Sequence, residues 1–315
     1  MVGGSGSSKG QKHFRQLVSK ANHVEAKFAQ RRFTDISKSE LELWQARLLK
    51  QGPAPKTVND IFTIVRGIWA DAFADGVIKT NPLDRITNIQ IDADSETADP
   101  FSHEALALIA DAYPEREKDA RMIPFNSWTG LSLSELIALA REDVDLVNGR
   151  VSIRRALVSG QFKVPKERSR ILVVELIKPA LELLRQLMAD STDYASEEIE
   201  IVQRDNITKR KERLHFLFRS STSVLLWSGK TISNWFTAHL VKAEVRHRGA
   251  NQCRHTFASQ ALSRYVPVEW VARQLGHSDT TMVKKHYGRW IPADTKSIAA
   301  VVSEMMGFVA NPSAK

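Results

Sequence analysis

Residues Asn251–Trp290 read NQCRHTFASQALSRYVPVEWVARQLGHSDTTMVKKHYGRW. Three side chains in this stretch suit chemistry at a phosphodiester. Arg254 opens a helical run, and its planar fork can hold two phosphate oxygens at once. Gly276 lets the backbone turn ahead of His277, which sets that imidazole at a loop or helix start. Tyr287 stands ten residues further on, among Lys284, Lys285, His286 and Arg289. Positive charge there favours a phenolate and an incoming phosphate. Taken singly, each has an ordinary reading: a surface ion pair, a satisfied buried histidine, a tyrosine packed beside Trp290.

Taken together, RHTFAS, LGH and HYGRW resemble the C-terminal signature of tyrosine recombinases of the phage-integrase type. The resemblance implies a role for each residue. Tyr287 attacks a DNA phosphate and stores the bond as a 3′-phosphotyrosine, so strands rejoin without ATP. Arg254 neutralises the non-bridging oxygens in the pentavalent state. His277 hydrogen-bonds the phosphate or assists proton transfer. The family carries a catalytic lysine on a β-hairpin, which VPKERSRILVV matches with Lys166 as the acid that protonates the leaving 5′-oxygen. Lys163 is its nearby competitor. Glu135, in TGLSLSEL, matches a supporting acidic residue that either orients an arginine or fixes a helix terminus.

Two positions depart from the family pattern. Ser132 stands where TGL is normally followed by arginine, and Asn251 stands where histidine is usual three residues before Arg254. Losing one oxyanion-type donor costs on the order of 3 kcal/mol. The site is therefore slow, rearranged, or completed by another arginine such as Arg246 or Arg248.

The activity implied is that of a site-specific recombinase or integrase working on double-stranded DNA attachment sites. It would cut one strand at a time through a Holliday junction, as a homotetramer in the synaptic complex, with no metal and no cofactor. The expected setting is the bacterial cytosol at the nucleoid. Two alternatives stay open: a degenerate, recombinase-derived DNA-binding protein, and a relaxing enzyme akin to type IB topoisomerases.

The remaining composition agrees with a polyanionic partner. The 315 residues carry 45 Lys and Arg against 36 Asp and Glu, a net charge of +9. Basic residues gather at Lys209, Arg210, Lys211 and Arg213, and at Arg154, Arg155, Lys163 and Arg168, as candidate phosphate contacts. No apolar run approaches the roughly 18 residues of a membrane span. The single cysteine, Cys253, excludes an intramolecular disulfide and reads as a small packing residue, with a reactive thiolate as the alternative.

The fold class expected is mainly α with a small β-sheet: a helical core-binding domain, then a mixed α/β catalytic domain. Residues 1–12 read as a disordered Gly/Ser-rich start with little room for an arm-type DNA-binding domain. Residues 13–91 read as the helical domain, 92–100 (acidic DADSETADP) as a linker, 101–292 as the catalytic domain and 293–315 as a C-terminal helix and tail. Within the first domain, helices are expected over Ser39–Leu49 and from an N-cap at Thr57. The second buries Val58, Ile61, Ile64, Val65, Ile68 and Ala72, and Gly76 ends it. TVNDIFTIVRGIWADAFADGVIKTNPLDRI is similar to the end of a family core-binding domain. In the second, helices are expected over 103–113 and 122–141, then from about Lys178 and after Thr231. Strands are expected over 150–158, 161–164 and 170–174, with Ser159-Gly160 as a hairpin turn. The apolar period of Ile298, Val301, Val302, Met305 and Phe308 suits a terminal helix docking on its own domain or on a neighbouring protomer.

Overall fold

The computed structural model describes residues 8–90, 98–165, 172–287 and 306–307. It separates into two compact units, residues 1–97 and 98–315. Lys166, Arg168 and the expected C-terminal helix lie outside the described residues.

The first unit holds three helices: α1 (Ser8–Phe28), α2 (Lys38–Lys50) and α3 (Pro55–Ala74). Helix α1 starts at Ser8, so it extends into the stretch expected to be disordered. Ser37 caps α2 by accepting a hydrogen bond from the Glu40 N–H. Helix α3 begins at Pro55 rather than after a Thr57 cap, with Ala54 as N-cap. Proline suits this first position because its fixed φ is already helical and its missing N–H is not needed there. The buried face is Val58, Ile61, Phe62, Val65 and Trp69, rotated slightly from expectation by the two aromatics. Phe28 and Trp44 meet edge to face with centroids 5.0 Å apart and close this core. Gly76, at φ +71°, terminates the helix as expected.

The second unit opens with α4 (His103–Asp111), capped by Ser102, followed by α5 (Glu117–Ala120), α6 (Met122–Thr129) and α7 (Leu133–Leu136). The single helix expected over 122–141 is broken because Gly130 adopts φ +69°. A three-stranded antiparallel sheet is built from β1 (Val144–Asp145), β2 (Arg150–Ile153) and, after two intervening strands, β5 (Leu172–Glu175), in the order β1-β2-β5. Strands β3 (Ala156–Val158) and β4 (Gln161–Lys163) form the expected hairpin, and Ser159 and Gly160 both take positive φ in its turn.

The strand expected over 150–158 splits at Arg154-Arg155, where the chain leaves one sheet for the other. Arg155 turns inward there, buried, and its two terminal nitrogens donate to Asp143 at 2.8 and 3.0 Å. Helix α8 (Lys178–Asp190) then packs on the first sheet through Ala180, Leu184 and Leu187.

Strands β6 (Glu197–Val202) and β7 (Lys209–Leu214) were not anticipated from the sequence and complete the order β3-β4-β6-β7, with β4 and β6 parallel. Their outer faces are charged, which hides the period-two pattern. Lys209 pairs with Glu200 at 2.7 Å and Lys211 with Glu198 at 2.9 Å, and Arg210 pairs with Glu212. The KRKER run is thus met by carboxylates across the ladder and next to it. Arg155, buried on Asp143, is removed from the candidate phosphate contacts altogether. The chain continues through α9 (Gly229–Lys242), α10 (Gln252–Leu262), α11 (Val268–Gln274) and α12 (Thr281–Tyr287). No helix of the described residues is long and apolar enough to cross a membrane.

Candidate active site

Helix α10 carries Arg254 at its N-terminal end, and two turns of backbone close around the guanidinium. One nitrogen donates to the Gly130 carbonyl at 2.7 Å and another to the Leu275 carbonyl at 2.6 Å. Those carbonyls belong to the chain reversals after α6 and α11, so Arg254 ties three helices together. The fit is close: a Cβ on Gly130 would lie 2.6 Å from Phe257 Cδ1 and 2.9 Å from Leu275 Cδ2. Glycine at 130 therefore meets both a left-handed backbone and a steric limit. Two of the five guanidinium donors are used by these bonds, and the side chain keeps 19% exposure.

Glu135 stands at the other side of this arginine. Its Oε2 accepts from the Ser132 N–H at 2.8 Å and lies 4.0 Å from Arg254 Nη1. The carboxylate thus fixes the start of α7 and biases the guanidinium, combining the two readings left open for it. Ser132 is half-buried, and its hydroxyl is 3.1 Å from the Ser134 hydroxyl. Asn251 is exposed at the N-cap of α10, with no side-chain cap bond.

His277 follows the LGH turn, where Gly276 adopts φ +71° and its missing Cβ leaves room for Leu172 Cδ2, 2.9 Å from where that atom would sit. Gln274 docks the end of α11 on β5, donating to the Glu175 carbonyl at 3.4 Å and accepting from its N–H at 3.1 Å. Burial, and then the Arg254 charge, hold the His277 imidazole below its ordinary pKa, against the smaller pull of Asp279. It is accordingly neutral at pH 7, with one ring nitrogen able to donate and the other to accept.

Tyr287 ends α12, only 4% exposed, in an apolar cluster with Phe257, Val271, Leu275 and Val283. Its hydroxyl oxygen is 2.8 Å from Nδ1 of His255, with ring centroids 5.5 Å apart. His255 lies inside RHTFAS but has no distinguishing signal in the sequence; only the tertiary contact, 32 residues away, marks it.

Arg254, Glu135 and His277 are thus neighbours, and Tyr287 joins the same three-helix cluster through His255 and Leu275. Lys163 is buried on β4 with its ammonium 3.5 Å from Asn206 Oδ1, toward the β6–β7 turn. Arg248 and Arg246 both engage Asp99, the first at 3.1 Å, and Arg248 lies 4.9 Å from the Phe101 ring. Burial works to raise the Asp99 carboxyl, but its bonds to Arg248 and Arg246 outweigh it and hold the pKa below the usual range.

Cys253 faces the core from α10, and burial pushes its thiol up to about 12. The packing reading holds. Iodoacetamide should leave the native protein unmodified and alkylate one thiol in denaturant; alkylation of the native chain would show that the site opens.

The fold is shared with the Tn1549 transposon integrase, solved in complex with transposon right end DNA. The match covers 98% of this chain and 96% of that one, at a TM-score of 0.71 and 18% identity. The chain belongs to the phage integrase family, whose model matches residues 98–290. Among its relatives in Escherichia coli (strain K12) are IntQ, whose name describes a defective protein, and the prophage integrase IntR. IntQ is 30% identical over 264 residues, covering 81% of this chain and 65% of that protein. IntR is 29% identical over 273 residues, covering 82% and 66%. The chain thus spans about two thirds of the length of these relatives.

Proposed function

We propose that this protein is a site-specific DNA recombinase that cuts and rejoins strands through a 3′-phosphotyrosyl bond at Tyr287. The observation that carries the reading is the Arg254 guanidinium, held by two backbone carbonyls, 4.0 Å from the Glu135 carboxylate, beside a neutral His277, with Tyr287 on α12 packed against the helix that carries it. A fork fixed in this way pre-organises positive charge for the non-bridging oxygens of a phosphodiester. Neutral His277 supplies a hydrogen bond to the same phosphate. Lys166, on the segment joining β4 to β5, is the acid for the 5′-oxygen.

Double-stranded attachment sites are the substrate, and the working complex is a homotetramer. The helical unit is the core-binding domain, the division falls within 92–100, and residues 101–292 form the catalytic domain. These assignments are supported by the family membership and by relatives named as integrases.

Ser132 and Asn251 contribute no charge, so the chemistry runs with one guanidinium fewer than the family pattern supplies. Incubation with a pool of nicked duplexes of randomised sequence tests the reading. A covalent protein–DNA adduct that is abolished in Tyr287→Phe is expected. Binding without any adduct would instead favour a recombinase-derived DNA-binding protein, the reading that the loss at Ser132 and Asn251 would explain.

A further inference from the structure

The hydroxyl of the nucleophile assigned above is hydrogen-bonded to His255, 2.8 Å from Nδ1. His255 follows Asn251 by one helical turn, and its N–H reaches the Asn251 carbonyl at 3.4 Å. Residues four apart share a helix face, so the histidine missing at Asn251 has a counterpart on the same face of α10. Asn251 itself is exposed and its amide has no basic nitrogen to take up a proton, whereas His255 is half-buried against the reacting oxygen.

We propose that His255 is the proton acceptor for Tyr287, taking over at this position the task that Asn251 cannot perform. The inference rests on Tyr287 being the nucleophile. Nδ1 carries the lone pair in the tautomer protonated at Nε2, and the Tyr287 hydroxyl donates to it. As the phenolic oxygen forms its bond to phosphorus, its proton passes to Nδ1. The P–O5′ bond breaks, its electron pair stays on the 5′-oxygen, and that oxygen takes a proton from the Lys166 ammonium. On rejoining, the 5′-hydroxyl attacks phosphorus and gives its proton back to the Lys166 amine, while the departing phenolate recovers the proton from His255. Two features of the site serve this step. The apolar cluster around Tyr287 keeps water from competing for the phenol, and the 2.8 Å hydrogen bond aligns donor and acceptor before DNA arrives.

The test compares full-length proteins with tyrosine or 3,5-difluorotyrosine, a more acidic phenol, at position 287. His255→Asn retains an acceptor close to the position of Nδ1 but cannot take a proton; His255→Ala removes both. With tyrosine, either variant should slow adduct formation on nicked duplexes by about 10²–10⁴-fold, with DNA binding and melting unchanged. With difluorotyrosine, the loss relative to the matching parent should largely disappear, because the phenol ionises without help. If His255→Ala fails to fold, His255→Asn carries the comparison alone. His255→Asn as fast as its parent, or an equal loss with both phenols, would overturn the inference while leaving Tyr287 as nucleophile. Absence of an adduct in the parent protein would overturn both.

Discussion

Arg254→Ala should slow adduct formation by about 10²–10³-fold, the cost of removing one pre-organised donor from a developing anion. The effect has two sources. The phosphate loses its clamp, and the Gly130 and Leu275 carbonyls lose the donor that joins α6 and α11 to α10. Arg254→Lys separates them. Lysine keeps the charge but presents one compact ammonium, which cannot reach two carbonyls and still offer a fork to the phosphate. It should restore most DNA affinity and little of the rate, as read by filter binding alongside adduct kinetics. Full activity in Arg254→Lys would mean that charge alone suffices.

The largest effect on stability is expected at Arg155, far in sequence from the motifs that identify the family. Arg155→Met leaves Asp143 buried without its bidentate partner and should cost about 3–5 kcal/mol in urea unfolding. The penalty depends on pH with a definite sign. Burial outweighs Arg155 and pushes the Asp143 carboxyl up to about 6 from an ordinary 3.8, and losing the arginine raises it further. A carboxyl whose folded pKa is raised contributes stability below its unfolded value, and that contribution is lost as pH rises through the folded pKa. The variant should therefore fall further behind the parent at pH 8 than at pH 5. A pH-independent difference would show that Asp143 stays ionised throughout.

The sequence made some elements legible and concealed others for physical reasons. The apolar period of α3 and the Ser159-Gly160 turn are local signals, set by neighbours within a few residues, and both reappear in the structure. Strands β6 and β7 escaped notice because Glu and Lys cover their outer face, leaving Ile199, Ile201 and Leu214 as the inward-facing residues. Arg155 reads as one more surface charge until Asp143, twelve residues earlier, folds against it. Within the site, Arg254 and His277 stand out by motif. The carbonyls that hold Arg254 and the hydrogen bond from Tyr287 to His255 depend on helices 21 to 124 residues apart in the chain and have no sequence signature.

The most direct measurement of the central claim is peptide mapping of the protein–DNA adduct after protease and nuclease digestion. A single modified peptide is expected, from the end of α12, carrying a nucleotide esterified through its 3′-phosphate to Tyr287. An adduct on any other residue, or attachment through a 5′-phosphate, would contradict it.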